Sequence, residues 1–380
     1  MQPATHGSRD DTRTRRRLSR KRRVTVAPSR IKNKRVTTHD VAERAGVSQP
    51  TVSLVLSRNA RARIAPETRE RVILAARELG YVTNVVARSL VSSRSYAIGI
   101  IVPDLRNPFF AEVVSGAERV VAEAGYAVLL CETREIPRDR HIQALLERQV
   151  DGIMVDAVGG ASLPAAMLEG ANLVLIDEPP NKWPGVASDA LGAGRLAAEH
   201  LLSLGHERFG FLGPSTNVHA IRMRERGFVH ALRLRGFEMN SAALRRVPAT
   251  AAGGQLGMRA LLALEARPTA VFCTNDLVAA GALKVCAVDG VRVPREMSIV
   301  GCDDIELASL LVPELTTVAI PARELGARAA RLLLNKLQSD EAESATTTRP
   351  QRTIASRLVV RGTTAPPPGR TAKPKSDSTA

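Results

Sequence analysis

VTTHDVAERAGVSQPTVSLVLS, residues Val36 to Ser57, is the stretch that decides the fold of the N-terminal region. The apolar residues between Asp40 and Ala45 fall on one helical face, and Gly46 can adopt the left-handed backbone that ends a helix. Ser48 offers a hydroxyl to the free amides of a second helix, which begins at Gln49. The spacing therefore predicts two short helices joined by a tight turn, which is helix-turn-helix geometry.

The second helix has one face for the protein core and one face for solvent or a duplex groove. The inward face has apolar residues at helical spacing: Val52, Val55 and Leu56. The outward residues, with one at the start of the first helix, are the candidate DNA contacts: Thr38, Ser48, Gln49, Pro50, Thr51, Ser53 and Leu54. Because Pro50 and Leu54 carry no polar group, we expect Gln49 and its neighbours to read bases by hydrogen bonds. An ordinary two-helix corner can show the same spacing and is the alternative.

Two segments after this pair of helices carry a resemblance to a known family. PETRERVILAARELGY (Pro66–Tyr81) predicts a third amphipathic helix, and NVVARSL (Asn84–Leu90) is a short basic and apolar segment. Together with DVAERAGVS and TVS upstream, they resemble the DNA-binding headpiece and hinge helix of the lactose/galactose repressor (LacI/GalR) family of bacterial transcription regulators. The resemblance implies that Asn84, Arg88 and Leu90 contact DNA, with Leu90 wedged into a minor-groove step.

From Ala97 onward, short apolar runs alternate with amphipathic stretches. The predicted strands are Ala97–Pro103, Ala127–Cys131, Gly152–Val155, Leu173–Asp177, Arg208–Pro214, Ala270–Cys273 and Ser298–Asp304. The predicted helices are Phe109–Ala124, Arg138–Arg148, Arg222–Arg235, Gly254–Leu264 and Leu277–Asp289. This α/β alternation predicts two doubly wound parallel-sheet lobes with helices on both faces. The family resemblance, which runs from about Val36 to Val360, implies that they form a periplasmic-binding-protein-like core.

Ligands of open parallel sheets bind outside the carboxyl ends of the strands. The polar residues that follow predicted strands are Asp104, Asn107, Asp156, Asp177, Asn275, Asp276, Asp303 and Asp304. The resemblance implies that Arg224, Asn275 and Asp303 contact an effector; an arginine fork binds adjacent oxygens, and a carboxylate accepts two hydroxyls. The predicted effector-binding residues are Asp104, Asn107, Phe109, Arg224, Asn275 and Asp303.

Some residues near the predicted cleft have structural alternatives. Asp304 can instead cap a helix or form an ion pair, and Phe110 can instead belong to the core. Trp183, the only tryptophan, lies in a loop that the order of elements places near the cleft. Three positions depart from the family pattern: Thr83 stands where the family usually has proline before the hinge, Ala65 stands where a serine commonly caps the third helix, and Cys302 replaces a usual aromatic residue.

The positive charge lies almost entirely in the first quarter of the chain. The 380 residues carry a net charge of +16; residues 1–95 hold 22 Lys and Arg against 7 Asp and Glu, and the remainder holds 32 against 31. A cationic head on a neutral body suits the neutralisation of DNA phosphates. The predicted organisation is a disordered basic arm (1–35), a headpiece (36–82), a hinge helix and linker (83–95), a two-lobe core (96–362) and a disordered tail (363–380).

The composition argues against several other classes of protein. No run of about 18 uncharged apolar residues exists, and the arginine-rich N-terminus lacks an apolar core, so we expect a cytoplasmic protein without a membrane span. The four cysteines form no Cys-x-x-Cys pair, so we expect neither a metal site nor a disulfide. Because serine-hydrolase elbows and phosphate-binding Walker loops are missing from the sequence, we expect no cofactor and no enzymatic activity.

These features together predict a sequence-specific transcription regulator that binds double-stranded operator DNA as a homodimer. Its core is predicted to bind a small polar effector, such as a sugar or a nucleoside. Binding of the effector is predicted to change the spacing of the two hinges in the dimer. The alternative is a two-lobe solute-binding or enzymatic protein with a non-specific basic head. Binding to operator DNA in the presence of excess competitor DNA distinguishes these two hypotheses.

Overall fold

The computed structural model of the protein describes residues 36–56, 64–82, 94–156, 163, 166–180, 182–214, 216–339 and 353–369. The chain divides into two compact units, residues 1–83 and residues 84–380. The predicted basic arm and the predicted hinge contacts Asn84, Arg88 and Leu90 lie outside the described residues.

The first unit contains three helices: α1 (Thr38–Ala45), α2 (Gln49–Leu56) and α3 (Pro66–Glu78). Helix α1 starts before Asp40 because Thr37 caps it: the Asp40 amide donates to Thr37 Oγ1 at 3.4 Å, and the Thr37 amide donates to Asp40 Oδ2 at 2.7 Å. Gly46 ends the helix with φ 65°, and α2 begins at Gln49. Both of these predictions are confirmed.

The three helices enclose a small apolar core. Its buried residues are Val41, Ala42, Ala45, Val52, Val55, Val72, Ala75 and Ala76. Helix α3 has no side-chain cap at Ala65, as predicted, but it ends at Glu78 instead of Tyr81. Gly80 has φ 62° and the Tyr81 amide donates to the carbonyl of Ala76, so the backbone turns left-handed and closes the helix.

The second unit begins with lobe 1, a five-stranded parallel sheet in the order β2-β1-β3-β4-β5. Its strands are β1 (Ala97–Val102), β2 (Ala127–Glu132), β3 (Gly152–Asp156), β4 (Leu173–Ile176) and β5 (Gly185–Val186). Its helices are α4 (Pro108–Glu123), α5 (Arg138–Glu147) and α11 (Ala322–Ser339). Ile100 packs in the cluster that includes α4 and α11, whereas Ile101 packs with Ile142 of α5, so both faces are covered.

Lobe 2 is a six-stranded sheet in the order β11-β10-β9-β8-β6-β7. Its strands are β6 (Phe209–Gly213), β7 (Leu244–Arg246), β8 (Ala270–Cys273), β9 (Ser298–Asp303), β10 (Thr316–Ala319) and β11 (Arg357–Val359). Its helices are α6 (Ala190–Ser203), α7 (His219–Leu234), α8 (Ala251–Leu262), α9 (Asp276–Val288) and the short α10 (Leu307–Leu310). The two parallel-sheet lobes are confirmed, although β11 runs antiparallel to β10.

The described chain passes between the lobes at three places. It leaves lobe 1 between Val186 and Ala190, returns between Ala319 and Ala322, and leaves again along Ile354 to Arg357. Ile354 bridges to Ser188, so two of the three passages lie side by side. The segment from Thr363 to Gly369, which we predicted as part of a disordered tail, is instead described against lobe 2. Its anchor is the fully buried Thr363, whose hydroxyl accepts from the Thr316 amide at 2.9 Å.

Three pairs of helices approach each other backbone to backbone at glycines. A Cβ atom on Gly227 of α7 would lie 2.0 Å from the carbonyl oxygen of Leu191, and one on Gly194 of α6 would lie 1.9 Å from that of Arg224. The same reciprocal arrangement joins α4 to α11 and α8 to α9, through two further glycine pairs: Gly116 with Gly326, and Gly254 with Gly281. These contacts fix α7, the helix that carries Arg224, against α6.

Candidate functional site

The carboxyl ends of the two sheets face a cavity of about 610 Å³. All six residues predicted to bind an effector line it: Asp104, Asn107, Phe109, Arg224, Asn275 and Asp303. The structure therefore brings together residues from both lobes that are up to 199 positions apart in the chain. Whether they bind a ligand remains a prediction.

Arg224 and Asp303 form a buried ion pair at the lobe 2 wall of the cavity. Arg224 Nη1 lies 3.0 Å from Asp303 Oδ1, and both side chains are 4% exposed. The same Nη1 donates to the carbonyl of Thr274 at 2.8 Å. Burial disfavours the arginine cation, but the nearby carboxylates of Asp303 and Asp177 outweigh it and raise the pKa of Arg224. The guanidinium is therefore held charged and fixed in place.

Asp303 combines backbone strain with a shifted pKa. It ends β9 with φ 114°, a conformation that residues other than glycine rarely adopt. Burial raises the pKa of Asp303 to about 6, against the opposing attraction of Arg224 and a hydrogen bond from Asn107. The Nε of Arg224 has no hydrogen-bond partner among the described residues, whereas Asp303 Oδ1 faces Arg224 Nη1 in the ion pair. One buried donor, the Nε–H of Arg224, thus remains to be satisfied beside the cavity.

Lobe 1 contributes residues that are held by their own neighbours. Asp104 accepts two hydrogen bonds from Nε and Nη2 of Arg106, which lower the pKa of Asp104. Asn107 caps α4 by accepting from the Phe109 amide at 3.1 Å. The rings of Phe109 and Phe110 meet edge to face with centroids 5.4 Å apart. Phe110 is half-buried and lines the cavity, so it is not simply a core residue.

Two further lobe 1 carboxylates, Asp156 and Asp177, line the cavity. Both are buried, and Asp177 Oδ1 accepts from the amide and the hydroxyl of Ser188 at 2.9 and 2.6 Å. This contact ties the end of β4 to the first passage between the lobes. Asp177 therefore has a structural role as well as a place in the cavity wall.

Asn275 has a double role in lobe 2. Its Oδ1 accepts from the Val278 amide at 2.8 Å, which caps α9, and its Nδ2 donates to the carbonyl of Ala249 at 3.2 Å. One amide hydrogen and one oxygen lone pair remain for a ligand. Asn275 thus offers fewer hydrogen bonds to an effector than its residue type suggests.

Three other residues lie away from the cavity lining. Asp276 accepts from the Thr317 hydroxyl and the Ile305 amide, and burial raises its pKa to about 8. Asp304 forms an ion pair with Arg361 at 2.7 Å, as its structural alternative predicted. Trp183 packs in lobe 1 and lines a different cavity, so its predicted place near the cleft is wrong. The order of elements could not show which way this loop folds.

The sequence reasoning also missed part of the cavity wall. Residues missed include Arg106, Pro214, Thr216, Ile221, Thr250 and Leu277. Several of them lie in loops after β6 and β7, where ligands of parallel sheets bind. Strand β7 has only three residues and was not predicted, so the loop that follows it could not be recognised as part of the cavity wall.

The predicted DNA-contact residues lie together on the first unit. Ser48, Gln49, Pro50, Ser53 and Leu54 are exposed on or just before α2. Ser48 also caps α2, because its Oγ accepts from the Thr51 amide at 3.4 Å. Thr38 and Thr51 are half-buried. This surface is compatible with a duplex groove, and the individual contacts remain predictions.

Within the described ranges, no group of three or more His, Cys, Asp or Glu residues is arranged to hold a metal ion. None of the described helices is long and apolar enough to cross a membrane. The four cysteines are free thiols, and burial raises the pKa of Cys302 beside Asp303.

Comparison with known proteins identifies the family. Residues 37–84 match the family described as bacterial regulatory proteins, lacI family, and residues 198–364 match the periplasmic binding protein-like domain. The HTH-type transcriptional repressor CytR of Escherichia coli (strain K12) is 35% identical over 337 residues, which cover 86% of this chain and 96% of the relative. The chain belongs to the LacI family. It is a DNA-binding transcription regulator with a two-lobe effector-binding core.

Two solved structures extend this LacI-family assignment across both units. The lac repressor dimer bound to operator and the anti-inducer ONPF aligns with a TM-score of 0.74 at 28% identity, covering 87% of this chain and all of that one. The complex of the transcriptional regulator CelR with cellobiose aligns with a TM-score of 0.64 at 30% identity and the same coverage. CytR is a transcriptional repressor, which is the class predicted for this chain.

Proposed function

We propose that this LacI-family regulator represses transcription as a homodimer on operator DNA, and that a neutral, hydroxyl-rich effector with an apolar face controls its affinity. A sugar or a nucleoside has this chemistry. Because its target is chromosomal DNA, we place the protein in the cytoplasm. The predicted effector contacts are the six residues named in the cavity, and the predicted DNA contacts are Thr38 of α1, the residues from Ser48 to Leu54 named above, and the hinge residues.

The observation that carries this proposal is the buried Arg224–Asp303 pair. It places in the lining of one cavity a carboxylate and a guanidinium whose Nε has no hydrogen-bond partner among the described residues. A ligand hydroxyl can accept from the guanidinium and donate to the carboxylate at once. Neighbouring hydroxyls on a sugar ring match such a pair.

The charge of the cavity supports a neutral ligand. Its lining contains four carboxylates, Asp104, Asp156, Asp177 and Asp303, and two guanidiniums, Arg106 and Arg224. A multiply phosphorylated ligand would meet net negative charge there.

The remaining wall is mostly apolar and includes Phe109, Phe110, Ile221 and Leu277. Such a wall suits the C–H face of a sugar ring or the plane of a base. The related CelR structure holds cellobiose, a sugar, which agrees with this class.

Exposed apolar side chains support the homodimer. Leu130 lies on β2, an edge strand of lobe 1, and is 42% exposed. In lobe 2, Leu310 and Val312 are 68% and 98% exposed. Apolar side chains on a free sheet edge and around a short helix are typical of surfaces covered by a partner. The lac repressor relative was solved as a dimer.

The effector proposal is tested by thermal stabilisation with a panel of sugars, sugar phosphates and nucleosides. The test variant is Arg224→Gln with Asp303→Asn, which removes both charges and so leaves no buried charge without its partner. The matched control is Arg195→Gln with Glu199→Gln, at an exposed ion pair outside the cavity. We expect the neutral hit to stabilise the wild type and the control but not the test variant. Equal stabilisation of all three proteins would place the site elsewhere.

The DNA proposal is tested by gel shifts of the full chain on its operator with excess competitor DNA. Gln49→Ala should weaken operator binding by about tenfold and leave non-specific binding unchanged, since a good base contact contributes about 1–3 kcal/mol. The control is Glu43→Ala, an exposed change on α1. Equal loss on operator and competitor would support the alternative, a two-lobe protein with a non-specific basic head.

A further inference from the structure

Lobe 2 has a second cavity, of about 800 Å³, beside α7. Arg222, Arg226 and Arg233 line it from one face of that helix, and Arg246 lines it from the edge strand β7. We call this cavity, with its four arginines, the arginine groove. It lies on the opposite side of α7 from Arg224, because residues two positions apart project in different directions from a helix.

The positive charge of the arginine groove is not neutralised inside the protein. Arg246 donates from both Nη atoms to Glu225 at 2.5 and 2.7 Å, so this pair is satisfied. Arg222, Arg226 and Arg233 are exposed and form no ion pair with any residue in the described ranges. Residues 96–380 as a whole hold 32 Lys and Arg against 31 Asp and Glu, so this cluster is a local excess. Like charges one helical turn apart repel, which makes the cluster unfavourable for the helix itself.

The floor of the arginine groove is apolar. Ile221, Val229, Met239 and Leu244 line it, and Glu225 and Glu238 lie among the arginines. A nucleic-acid backbone would approach these two carboxylates and would leave the apolar floor empty. A peptide can place acidic side chains on the arginines and apolar side chains on the floor, so the groove fits a protein segment better.

We propose that the arginine groove docks an acidic segment of a partner protein, in which Asp or Glu residues alternate with large apolar residues. The carboxylates pair with Arg222, Arg226 and Arg233, and the apolar side chains cover Met239 and Leu244. Ile221 lines both this groove and the effector cavity, but none of the six predicted effector-binding residues and none of the predicted DNA contacts lines the groove, so the proposal does not depend on either.

The test uses the full chain and a fluorescent peptide of about 15 residues in which Glu alternates with Leu, carrying one benzophenone group. Irradiation of the complex and mass spectrometry should locate cross-links around Met239 in the groove. Fluorescence anisotropy near physiological salt should show binding that weakens at least tenfold in the triple variant Arg222→Glu, Arg226→Glu, Arg233→Glu. A peptide of Glu and Ser should bind more weakly because it cannot fill the floor.

The matched control reverses three exposed arginines of the same lobe that do not line the groove: Arg235, Arg259 and Arg295. It should bind the peptide as the wild type does. If charge reversal lowers the melting temperature, the Arg222→Gln, Arg226→Gln, Arg233→Gln variant replaces it. Three results would overturn the proposal: no binding, cross-links confined to the basic arm (residues 1–35), or equal loss in the control. Stronger binding of non-operator duplex DNA than of peptide at the groove would assign the surface to nucleic acid instead.

Discussion

The two lobes share one architecture but hold their cavity residues in different ways. In lobe 2, Arg224 and Asp303 are both 4% exposed and bonded within the interior. In lobe 1, Asp104 is 25% exposed and is held by Arg106, which is 62% exposed. A buried pair is strongly coupled to stability, whereas a surface pair is screened by water. Lobe 2 therefore presents a fixed polar centre, and lobe 1 presents a rim that can adjust.

Breaking the buried pair should have the largest effect on stability. Arg224→Met leaves Asp303 buried beside Asp177 without its cation, so we expect the free energy of unfolding to fall by about 3–5 kcal/mol. Arg106→Met in lobe 1 should cause no measurable change. Urea denaturation of both variants checks the difference. Similar losses in the two would mean that the lobes hold their charges alike.

Acid should destabilise lobe 2 through His206. This ring is buried and contacts Thr269 Oγ1, Ser298 Oγ and the carbonyl of Ala365, and burial lowers its pKa from 6.5 to about 4. The unfolded chain then binds more protons between these values, so stability is lost as the pH falls from about 6.5 towards 4.

The His206 contribution reaches at most about 3 kcal/mol. Denaturation at a series of pH values should show this slope, and His206→Gln should flatten it. An unchanged slope in that variant would assign the acid sensitivity to other groups.

The close glycine contacts between helices should contribute equally to the stability of both lobes. Gly227→Ala in lobe 2 and Gly326→Ala in lobe 1 each place a Cβ about 2 Å from a carbonyl oxygen, so we expect losses of about 1–3 kcal/mol in each. Ser115→Ala, at an exposed position on α4, is the control. A tolerated alanine in one lobe only would show that the scaffolds differ as well as the sites.

The smallest predicted effect concerns ligand affinity. Because the pKa of Asp303 is raised to about 6, its carboxylate is protonated as the pH falls through 6, which removes the negative charge and turns one acceptor oxygen into a donor. Effector affinity should drop by about tenfold between pH 7 and pH 5. Calorimetric titration of the hit from the thermal panel measures this, and Asp303→Asn should show a flat profile. A flat wild-type profile would exclude Asp303 as a contact.

The sequence was informative where local rules act. The helix ends at Gly46 and Ser48 follow from backbone and capping preferences, and all six predicted cavity residues follow from the carboxyl ends of strands together with the family resemblance. Contacts between distant segments were not predictable in the same way. The pairing of Arg224 with Asp303 joins residues 79 positions apart, and that of Asp177 with Ser188 depends on how the chain leaves lobe 1.

The short strands at the edges of lobe 2 could not be predicted from the sequence either. Strands β7 and β11 have three residues each, too few to show an alternating pattern. Strand β11 forms because it pairs with β10, which lies about forty residues earlier in the chain. The prediction that Trp183 lies near the cleft was wrong for a similar reason, since the order of the elements does not show which way a loop folds.

The three glycine-locked helix pairs limit how this molecule can move. Shear motions need a layer of side chains over which packed helices slide, and at these contacts the backbones touch directly. We therefore expect each lobe to move largely as a rigid body. Any change in the width of the cleft must be absorbed by rotation about the backbone of the three passages, around Ser188, Pro321 and Ile354. Two of these passages are paired at Ser188 and Ile354, so we expect them to rotate together.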